Sequence, residues 1–246
     1  MPGSKRVEKE NLWRILKKTI IQNTGKSGIF PTRIPELCYH CHEEPEMPIR
    51  HFMQPVLIIV VQGAKFVQVG NDRRSYSAGM FFLSAVDMPV TSCVLEASRT
   101  HPYLSLSISL DINIIASFAV QARFMPRSEN GAVTGATGHE ADAELLDAVA
   151  RLAELSRDPV DVACLKSGII GEIHYRLLKG GAGEILYSLC SLNAPLSRIR
   201  DIIMWIRENY RKRFTISDLS RYFSLAPSTL HKYFKQVTSL SPIQYQ

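Results

Sequence analysis

The chain has 246 residues, of which 46% are hydrophobic and 21% charged, and its formal net charge is +6. This composition is ordinary for a soluble globular protein, and the length allows one large domain or two modest ones. The longest purely apolar run, Val56 to Val61, is far shorter than the roughly 20 residues that span a bilayer, which argues against a transmembrane helix. Arg14, Lys17 and Lys18 interrupt the apolar residues near the N-terminus, so we expect no signal peptide and a cytoplasmic protein.

The positive charge is concentrated at the C-terminal end of the chain. Residues 195–246 contain nine lysines and arginines against three acidic residues, whereas the first 194 residues are neutral overall. Such asymmetry favours a polyanionic partner for this short region, and nucleic acid is the usual one. The alternative is a basic helix that is merely solvated.

The first half of the chain has mainly the pattern of short β-strands. A leading helix is predicted over Asn11 to Gln22, where apolar residues recur at helical spacing. From Arg33 to about Leu110, β-branched or alternating runs follow at roughly ten-residue spacing, which suggests a sandwich or small barrel. The predicted strands are Val56 to Val61, Lys65 to Val69, Met80 to Ser84, Val90 to Glu96 and Leu104 to Leu110. In the last of these, leucine or isoleucine alternates with serine, as expected of a strand with one buried face.

After Asp111 the apolar residues recur at helical spacing. The predicted helices are Ile112 to Gln121, Ala143 to Ser156, Asp161 to Leu178 and Glu184 to Leu192. A mobile loop is predicted for Arg127 to His139, which is rich in Gly, Thr and Ser. The glycine-rich break from Lys179 to Gly183 predicts a domain boundary.

The basic C-terminal region has the pattern of three helices. Ser197 to Tyr210 is an amphipathic helix, and Thr215 to Asp218 fits a capping box that would begin a second one. Pro227 is tolerated at the first position of a third helix, because the missing N–H of proline would be unpaired there. The third helix buries one apolar stripe, formed by Leu230, Phe234 and Val237.

The opposite face of the third helix is polar and basic, which is what entry into a DNA major groove requires. Ser228, His231 and Lys232 lie nearest the helix N-terminus and would reach base edges, whereas Lys235 and Arg221 are better placed for phosphates. The alternative for each residue is plain solvent exposure. The complete set of predicted DNA-binding residues is Arg221, Ser228, Thr229, His231, Lys232 and Lys235.

The run from Ser228 to Gln246, STLHKYFKQVTSLSPIQYQ, resembles the first helix-turn-helix subdomain of the AraC/XylS family of transcription regulators. Phe234-Lys235, Ser241-Pro242 and Tyr245 stand at the spacing of that family. Upstream, VLIIVVQGAKFVQVG and GEIHYRLLKG are similar to the N-terminal domain of one AraC-type subgroup. The resemblance covers nearly the whole chain.

The resemblance implies an α+β fold and a division into four parts. These are an N-terminal arm and helix (1–30), a cupin-like β-barrel or jelly-roll sensor (31–125), a helical coupling and dimerisation segment (126–192), and a truncated all-α helix-turn-helix domain (195–246). It implies a DNA-binding, homodimeric regulator with a small-molecule effector, and RNA polymerase as a partner if the regulator is an activator. We expect no enzyme activity, no cofactor and no membrane association.

Two features depart from the family pattern. The usual serine at the N-cap of the third helix is Ala226 here, which should weaken the cap by about 1 kcal/mol. The family pattern also continues with a linker helix and a second helix-turn-helix beyond Gln246, where this chain ends. We therefore expect tight operator binding to need more than the residues present.

The histidines and cysteines near residue 40 leave three metal or haem alternatives open. Cys38 to His42 matches the CxxCH motif for haem attachment, although that chemistry needs an exported protein. A zinc ion could be bound by Cys38, Cys41, His42 and His51. His40, His42 and Glu46 have the spacing seen in metal-binding cupin enzymes, so the main alternative function is a metal-dependent enzyme or zinc-binding module.

The effector itself is not specified by the sequence. Sensing by thiols is one alternative, with Cys38, Cys41 and Cys93 as candidates, although buried structural cysteine is the more ordinary role. A small, partly apolar ligand is the other, and a barrel interior lined by apolar side chains would suit it. The residues predicted to line that interior are Phe66, Phe82, Leu83 and Leu106.

Overall fold

The computed structural model describes residues 2–124, 134–191 and 194–246. Within them the chain has a mixed α/β fold, with antiparallel strands mainly in the first half and helices mainly in the second, which confirms the predicted fold class. The strands are β1 (Gly28–Pro31), β2 (Leu37–His42), β3 (Ile49–Met53), β4 (Val56–Gln62), β5 (Ala64–Val69), β6 (Asp72–Ser77), β7 (Met80–Ser84), β8 (Met88–Glu96), β9 (Tyr103–Ser109) and β10 (Ala136–Glu140). The helices are α1 (Pro2–Asn23), α2 (Ile112–Gln121), α3 (Ala143–Leu155), α4 (Pro159–Lys179), α5 (Gly183–Cys190), α6 (Pro195–Asn209), α7 (Ile216–Tyr222), α8 (Pro227–Thr238) and α9 (Pro242–Tyr245). No helix in this described part of the chain is long and apolar enough to cross a membrane.

The strands form two antiparallel sheets that face each other. The first has the order β1-β2-β9-β4-β7-β10, and the second has the order β3-β8-β5-β6. Their inner faces meet where the ring of Phe82 in β7 packs edge-on against that of Tyr76 in β6, with centroids 5.3 Å apart. The space between the two sheets is therefore the interior of the β-rich part.

The outer face of the first sheet is covered by helices. Leu104, Leu106 and Ile108 of β9 are fully buried, and Leu106 pairs with Tyr39 of β2. Paired residues of antiparallel strands share a face of the sheet. The hydroxyl of Tyr39 donates to the carbonyl oxygen of Ala153 in α3, at 3.2 Å, so this face lies against the helices.

The predicted strands from Val56, Lys65, Met80, Val90 and Leu104 are all present as β4, β5, β7, β8 and β9. The predicted loop from residue 127 to residue 139 is wrong in its last part, because residues 136–140 form β10, which pairs with β7. Residues 127–133 lie outside the described part, as does Leu192 at the predicted end of α5. Since β10 belongs to the first sheet, that sheet extends beyond residue 125, where the predicted sensor domain ends.

The C-terminal helices pack around the predicted apolar stripe of α8. Leu230, Phe234 and Val237 of α8 are fully buried. Thr215 caps α7 through the predicted capping box: its hydroxyl accepts from the Asp218 N–H at 3.2 Å, and the Asp218 carboxylate accepts from the Thr215 N–H at 2.8 Å. The order of α7, a short turn and α8 agrees with the sequence analysis.

Candidate functional site

The solvent face of α8 carries most of the predicted DNA-binding residues. Ser228, His231, Lys232 and Lys235 are all exposed, and Thr229 is half-buried. Arg221 is exposed on the neighbouring helix α7. On α8 these polar and basic side chains therefore lie opposite the buried stripe.

The cations on this surface form no close ion pairs within the described residues, although Arg221 is near enough to Asp218 to add to the lowering of the pKa of that carboxyl by its hydrogen bonds with Thr215. In α6, Arg200 and Arg207 form ion pairs with Asp201 and Asp87. Arg221, Lys232 and Lys235 have no ion-pair partner among the described residues; the Lys232 ammonium lies 5.8 Å from the centre of the Tyr233 ring. Exposed cations without ion-pair partners are available to a polyanion.

The C-terminal helices are docked on the β-sheets at Asp87, which lies just before β8. The Asp87 carboxylate accepts a hydrogen bond from the Arg207 guanidinium of α6 at 2.5 Å. Its backbone oxygen accepts from the Tyr245 hydroxyl at 2.9 Å, and the Tyr245 ring packs edge-on against Phe52 of β3. Asp87 thus connects the second sheet to both α6 and α9.

A cavity of about 620 Å³ opens between the sheets and the end of α8. Its apolar wall includes Val69 and Phe82 from the sheets and Val237 from α8, and Arg74 and Lys235 lie at its rim. Such a cavity gives no signal in the sequence, because it is formed by segments far apart in the chain. Lys235 consequently lies between this cavity and the solvent face of α8.

The prediction that Phe66, Phe82, Leu83 and Leu106 line one interior is wrong for three of the four residues. Leu106 is paired with Tyr39, and Leu83 is one residue along from Phe82, so both point towards the helices. Phe66 lies on the outer face of the second sheet, under the Arg73 guanidinium at 4.1 Å. Phe82 alone of these four points between the sheets.

Polar side chains share the space between the sheets with apolar ones such as Ile58 and Val60. Ser105 and Ser107 lie on the inner face of β9, and Ser107 Oγ is 2.8 Å from His40 Nε2 of β2. His51 of β3 and Lys65 of β5 lie on the inner face of the second sheet, in register with the buried valines of β8. We call this group the inner polar cluster; it comprises His40, His51, Lys65, Tyr103, Ser105 and Ser107.

Two members of the inner polar cluster have polar groups without hydrogen-bond partners. Tyr103 is 1% exposed, and its hydroxyl makes no hydrogen bond of good geometry within the described residues, although the Ser105 side chain lies close to it. The Lys65 ammonium is likewise without a hydrogen bond or ion pair in that part of the chain. Glu46 is the nearby acid, and its carboxylate already lies 2.7 Å from His42 Nδ1.

The pKa values in the cluster reflect burial and mutual repulsion. Burial, together with the charges of Lys65 and His42, lowers the pKa of His40 to about 4. Burial also lowers the pKa of His51, helped by Lys65, and that of Lys65, opposed by Glu46. The two histidines are therefore neutral at neutral pH, and Lys65 is the cation of the cluster, with the Glu46 carboxylate as the nearest negative charge.

The predicted zinc ligands are not brought together. Cys41 lies on the helix-facing side of β2, whereas Cys38 and His42 are on the other side, since alternate residues of a strand point to opposite faces. In the ranges that the structure describes, no three histidine, cysteine or acidic side chains could share a metal ion, and this includes His40, His42 and Glu46.

The cysteines predicted for thiol sensing are shielded. Cys41 and Cys93 are buried and Cys38 is half-buried, and in each case burial is the main reason that the pKa of the thiol is raised. A raised pKa lowers the fraction of reactive thiolate. Cys164, on α4, is the exposed thiol.

Comparison with known proteins gives a family match and several structural likenesses. The family model of the AraC-type transcriptional regulator N-terminus matches residues 33–185. The AraC-like transcriptional activator CuxR is 9% identical, with a TM-score of 0.40, over 84% of this chain and 73% of that one. Unsaturated fatty acid bound ToxT from Vibrio cholerae strain SCE256 is 12% identical, with a TM-score of 0.36, over 85% and 93%. KdgF from Halomonas sp. is 21% identical, with a TM-score of 0.25, over 35% and 80%. None of the curated proteins matches the chain.

Proposed function

The chain belongs to the AraC-type transcriptional regulators, and on that basis we propose that it binds DNA through α7 and α8 in response to a small effector held by its β-sheets. The observation that carries the DNA-binding part is the solvent face of α8, where Lys232 and Lys235 are exposed and form no ion pair with any residue that the structure describes. A helix anchored by one buried stripe, with its other face free and basic, suits a major groove.

The roles proposed for individual residues follow from their places on α7 and α8. Ser228, His231 and Lys232 are exposed near the N-terminal half of α8, so we assign them to base edges. Lys235, in the last turn of α8, and Arg221, on α7, are exposed and are assigned to phosphates. Thr229 is half-buried and is the least accessible residue of the set. Its contribution to DNA binding would be mainly to position its neighbours on α8.

We propose that the effector site lies between the two sheets and that α3 to α5 pair two copies of the chain. Val160 and Leu165 of α4 are 69% and 53% exposed, which provides apolar surface for such pairing. The buried thiols favour a small-molecule effector over thiol-based sensing. Contact with RNA polymerase would follow if the regulator is an activator.

The proposed domain organisation keeps most of the sequence-based division but moves one boundary. The N-terminal arm and helix take residues 1–30, and the DNA-binding part takes residues 195–246. We extend the sensor to Glu140, the end of β10, because that strand completes the first sheet. The coupling and dimerisation segment then begins with α3.

The proposal is tested by measuring how the purified chain binds random and upstream genomic DNA duplexes. Fluorescence anisotropy at several salt concentrations gives the Kd and its salt dependence. Lys232→Ala should raise the Kd about tenfold for the preferred duplex, as expected for loss of a base contact. Lys235→Ala should weaken binding to all sequences and reduce the salt slope by about 1. Lys179→Ala, at an exposed position on α4, is the matched control. Because tight operator binding is expected to need more than these residues, the chain should bind weakly and with a steep salt dependence. The proposal fails if the chain binds no duplex above background even at low salt, or if Lys232→Ala and Lys179→Ala behave alike.

A further inference from the structure

We propose that the inner polar cluster binds the carboxylate group of a small organic acid. This names the chemical class of the effector for the site between the sheets, and in that sense it rests on the proposed function. The binding itself depends only on residues of the β-sheets and can be measured without DNA.

The strand registers bring the members of the cluster to one interior from both sheets. Ser105 pairs with His40 on the first sheet, and these residues share the face of Phe82, which packs against Tyr76 of the second sheet. Lys65 pairs with that same Tyr76. Tyr103 pairs with His42 on the same side of the first sheet, and their rings lie 6.0 Å apart.

The cluster contains donors that lack acceptors. The Tyr103 hydroxyl is buried without a partner in the described residues, and the Lys65 ammonium has neither a hydrogen bond nor an ion pair there. The rings of His40 and His51 are already hydrogen-bonded, to Ser107 Oγ and to the backbone of Ile49, so Lys65 and Tyr103 are the donors left to a ligand. The one nearby carboxylate, on Glu46, is already engaged by His42.

A carboxylate supplies what this arrangement lacks. A buried hydroxyl or ammonium without a partner is costly, and a charge-assisted hydrogen bond to an anion removes that cost. The two oxygens of a carboxylate could accept from Lys65 and Tyr103 together. A cation would be repelled by Lys65, and a neutral sugar would give the ammonium no charge-assisted hydrogen bond.

The cavity at the end of α8 is a weaker place for the anion. Its rim carries Arg74 and Lys235, but Arg74 is exposed and already paired with Asp72 at 3.0 Å. Lys235 is exposed to solvent, which screens its charge. The enclosed Lys65 is therefore the stronger anchor.

Calorimetric titration of the purified chain tests the proposal with acids and their neutral counterparts. The probes are acetate, succinate and benzoate, each compared with its amide, together with inorganic phosphate, sulfate and glucose. We expect saturable binding of at least one carboxylate and none of its amide. Binding of phosphate or sulfate in preference to every carboxylate would overturn the assignment to organic acids.

Three variants locate the site. Lys65→Met should raise the Kd of the bound acid by about tenfold or more, the loss expected for a charge-assisted hydrogen bond. Lys18→Met, at an exposed position on α1, is the matched control and should bind as the wild type does. Lys235→Met tests the other cavity: loss of binding in this variant but not in Lys65→Met would overturn the proposal.

Tyr103→Phe gives a second readout that a purely structural role would not produce. Removing the unpaired hydroxyl should raise the melting temperature of the free protein and yet weaken binding of the acid. Unchanged affinity in both Tyr103→Phe and Lys65→Met would overturn the proposal, as would the absence of binding by every carboxylate. Since DNA binding is measured separately, failure here leaves the proposed regulator function standing.

Discussion

At the residue scale, His174 links two helices through both nitrogens of its ring. It is fully buried in α4. Its Nδ1 lies 2.7 Å from the Ile170 carbonyl oxygen and therefore donates, while its Nε2 accepts from the Asp111 N–H at 2.9 Å. Asp111 is the N-cap of α2. The ring must be neutral for both bonds to exist, which fixes its tautomer.

We predict that His174→Leu destabilises the protein by about 1–3 kcal/mol at neutral pH, because the Asp111 N–H loses its acceptor. The same change should reduce the pH dependence of stability. Burial lowers the pKa of His174, so the unfolded chain takes up the proton first as the pH falls. The stabilisation from this residue is thus complete above about pH 6.5 and is lost below it.

Urea unfolding at about pH 7.5 and about pH 5.5 measures both effects. The wild type should lose stability between the two values, and His174→Leu should lose less. His101→Leu, at an exposed position, serves as the control and should keep the wild-type difference. An equal loss in His174→Leu and the wild type would contradict this account.

The inner polar cluster shows which part of the site could not be predicted from the sequence alone. The alternation in β9 predicted one apolar and one polar face, and this is present. It could not say which face points to the other sheet. The helices cover the leucines, so the serines and Tyr103 point inward, and Lys65 meets them from a strand whose polar residues gave no signal of burial.

At the element scale, α8 begins without a side-chain cap. Ala226 is its N-cap, and no side chain accepts from the N–H groups of the first turn. We predict that Ala226→Ser stabilises the protein by about 1 kcal/mol, because the serine hydroxyl can accept one of these N–H groups. Ala226→Gly is the control and should have a smaller effect. Urea unfolding measures the difference, and equal stability of Ala226→Ser and the wild type would show that the first turn is satisfied in another way.

The helices could be predicted from sequence far better than the short strands. The periodic apolar residues of α2, α3 and α8 identify a buried face, and Pro227 marks where α8 begins. β10 has no such pattern: its residues are ATGHE. It exists because it pairs with β7, and Gly138 is needed there since a Cβ would lie 2.2 Å from the Tyr76 ring. Such a strand is specified by its tertiary neighbours rather than by its own residues.

At the scale of the whole molecule, the proposed DNA-binding helices and the β-sheets are held together through few polar contacts. The Asp87 side chain is 16% exposed and pairs with Arg207 of α6, which is 51% exposed. The Tyr245 hydroxyl bonds the backbone of the same residue. A change in the position of β8 would therefore reach α6 and α9 directly, which provides a physical route from the sheets to α8.

We predict that Asp87→Ala loosens this docking without unfolding the sheets. Arg207 can be solvated when its partner is removed, so the cost should be about 1 kcal/mol or less. Amide hydrogen exchange should become faster in α6, α8 and α9 and stay unchanged in β4 and β9. Arg207→Ala should have the same effect, and the double variant should add little, because both changes remove the same interaction.

Asp72→Ala, which breaks the exposed pair with Arg74 on the same sheet, is the control. If exchange in the C-terminal helices is as slow in Asp87→Ala as in Asp72→Ala, the ion pair does not hold them, and the docking rests on the contacts of Tyr245, whose hydroxyl bonds the backbone oxygen of residue 87 and whose ring packs against Phe52.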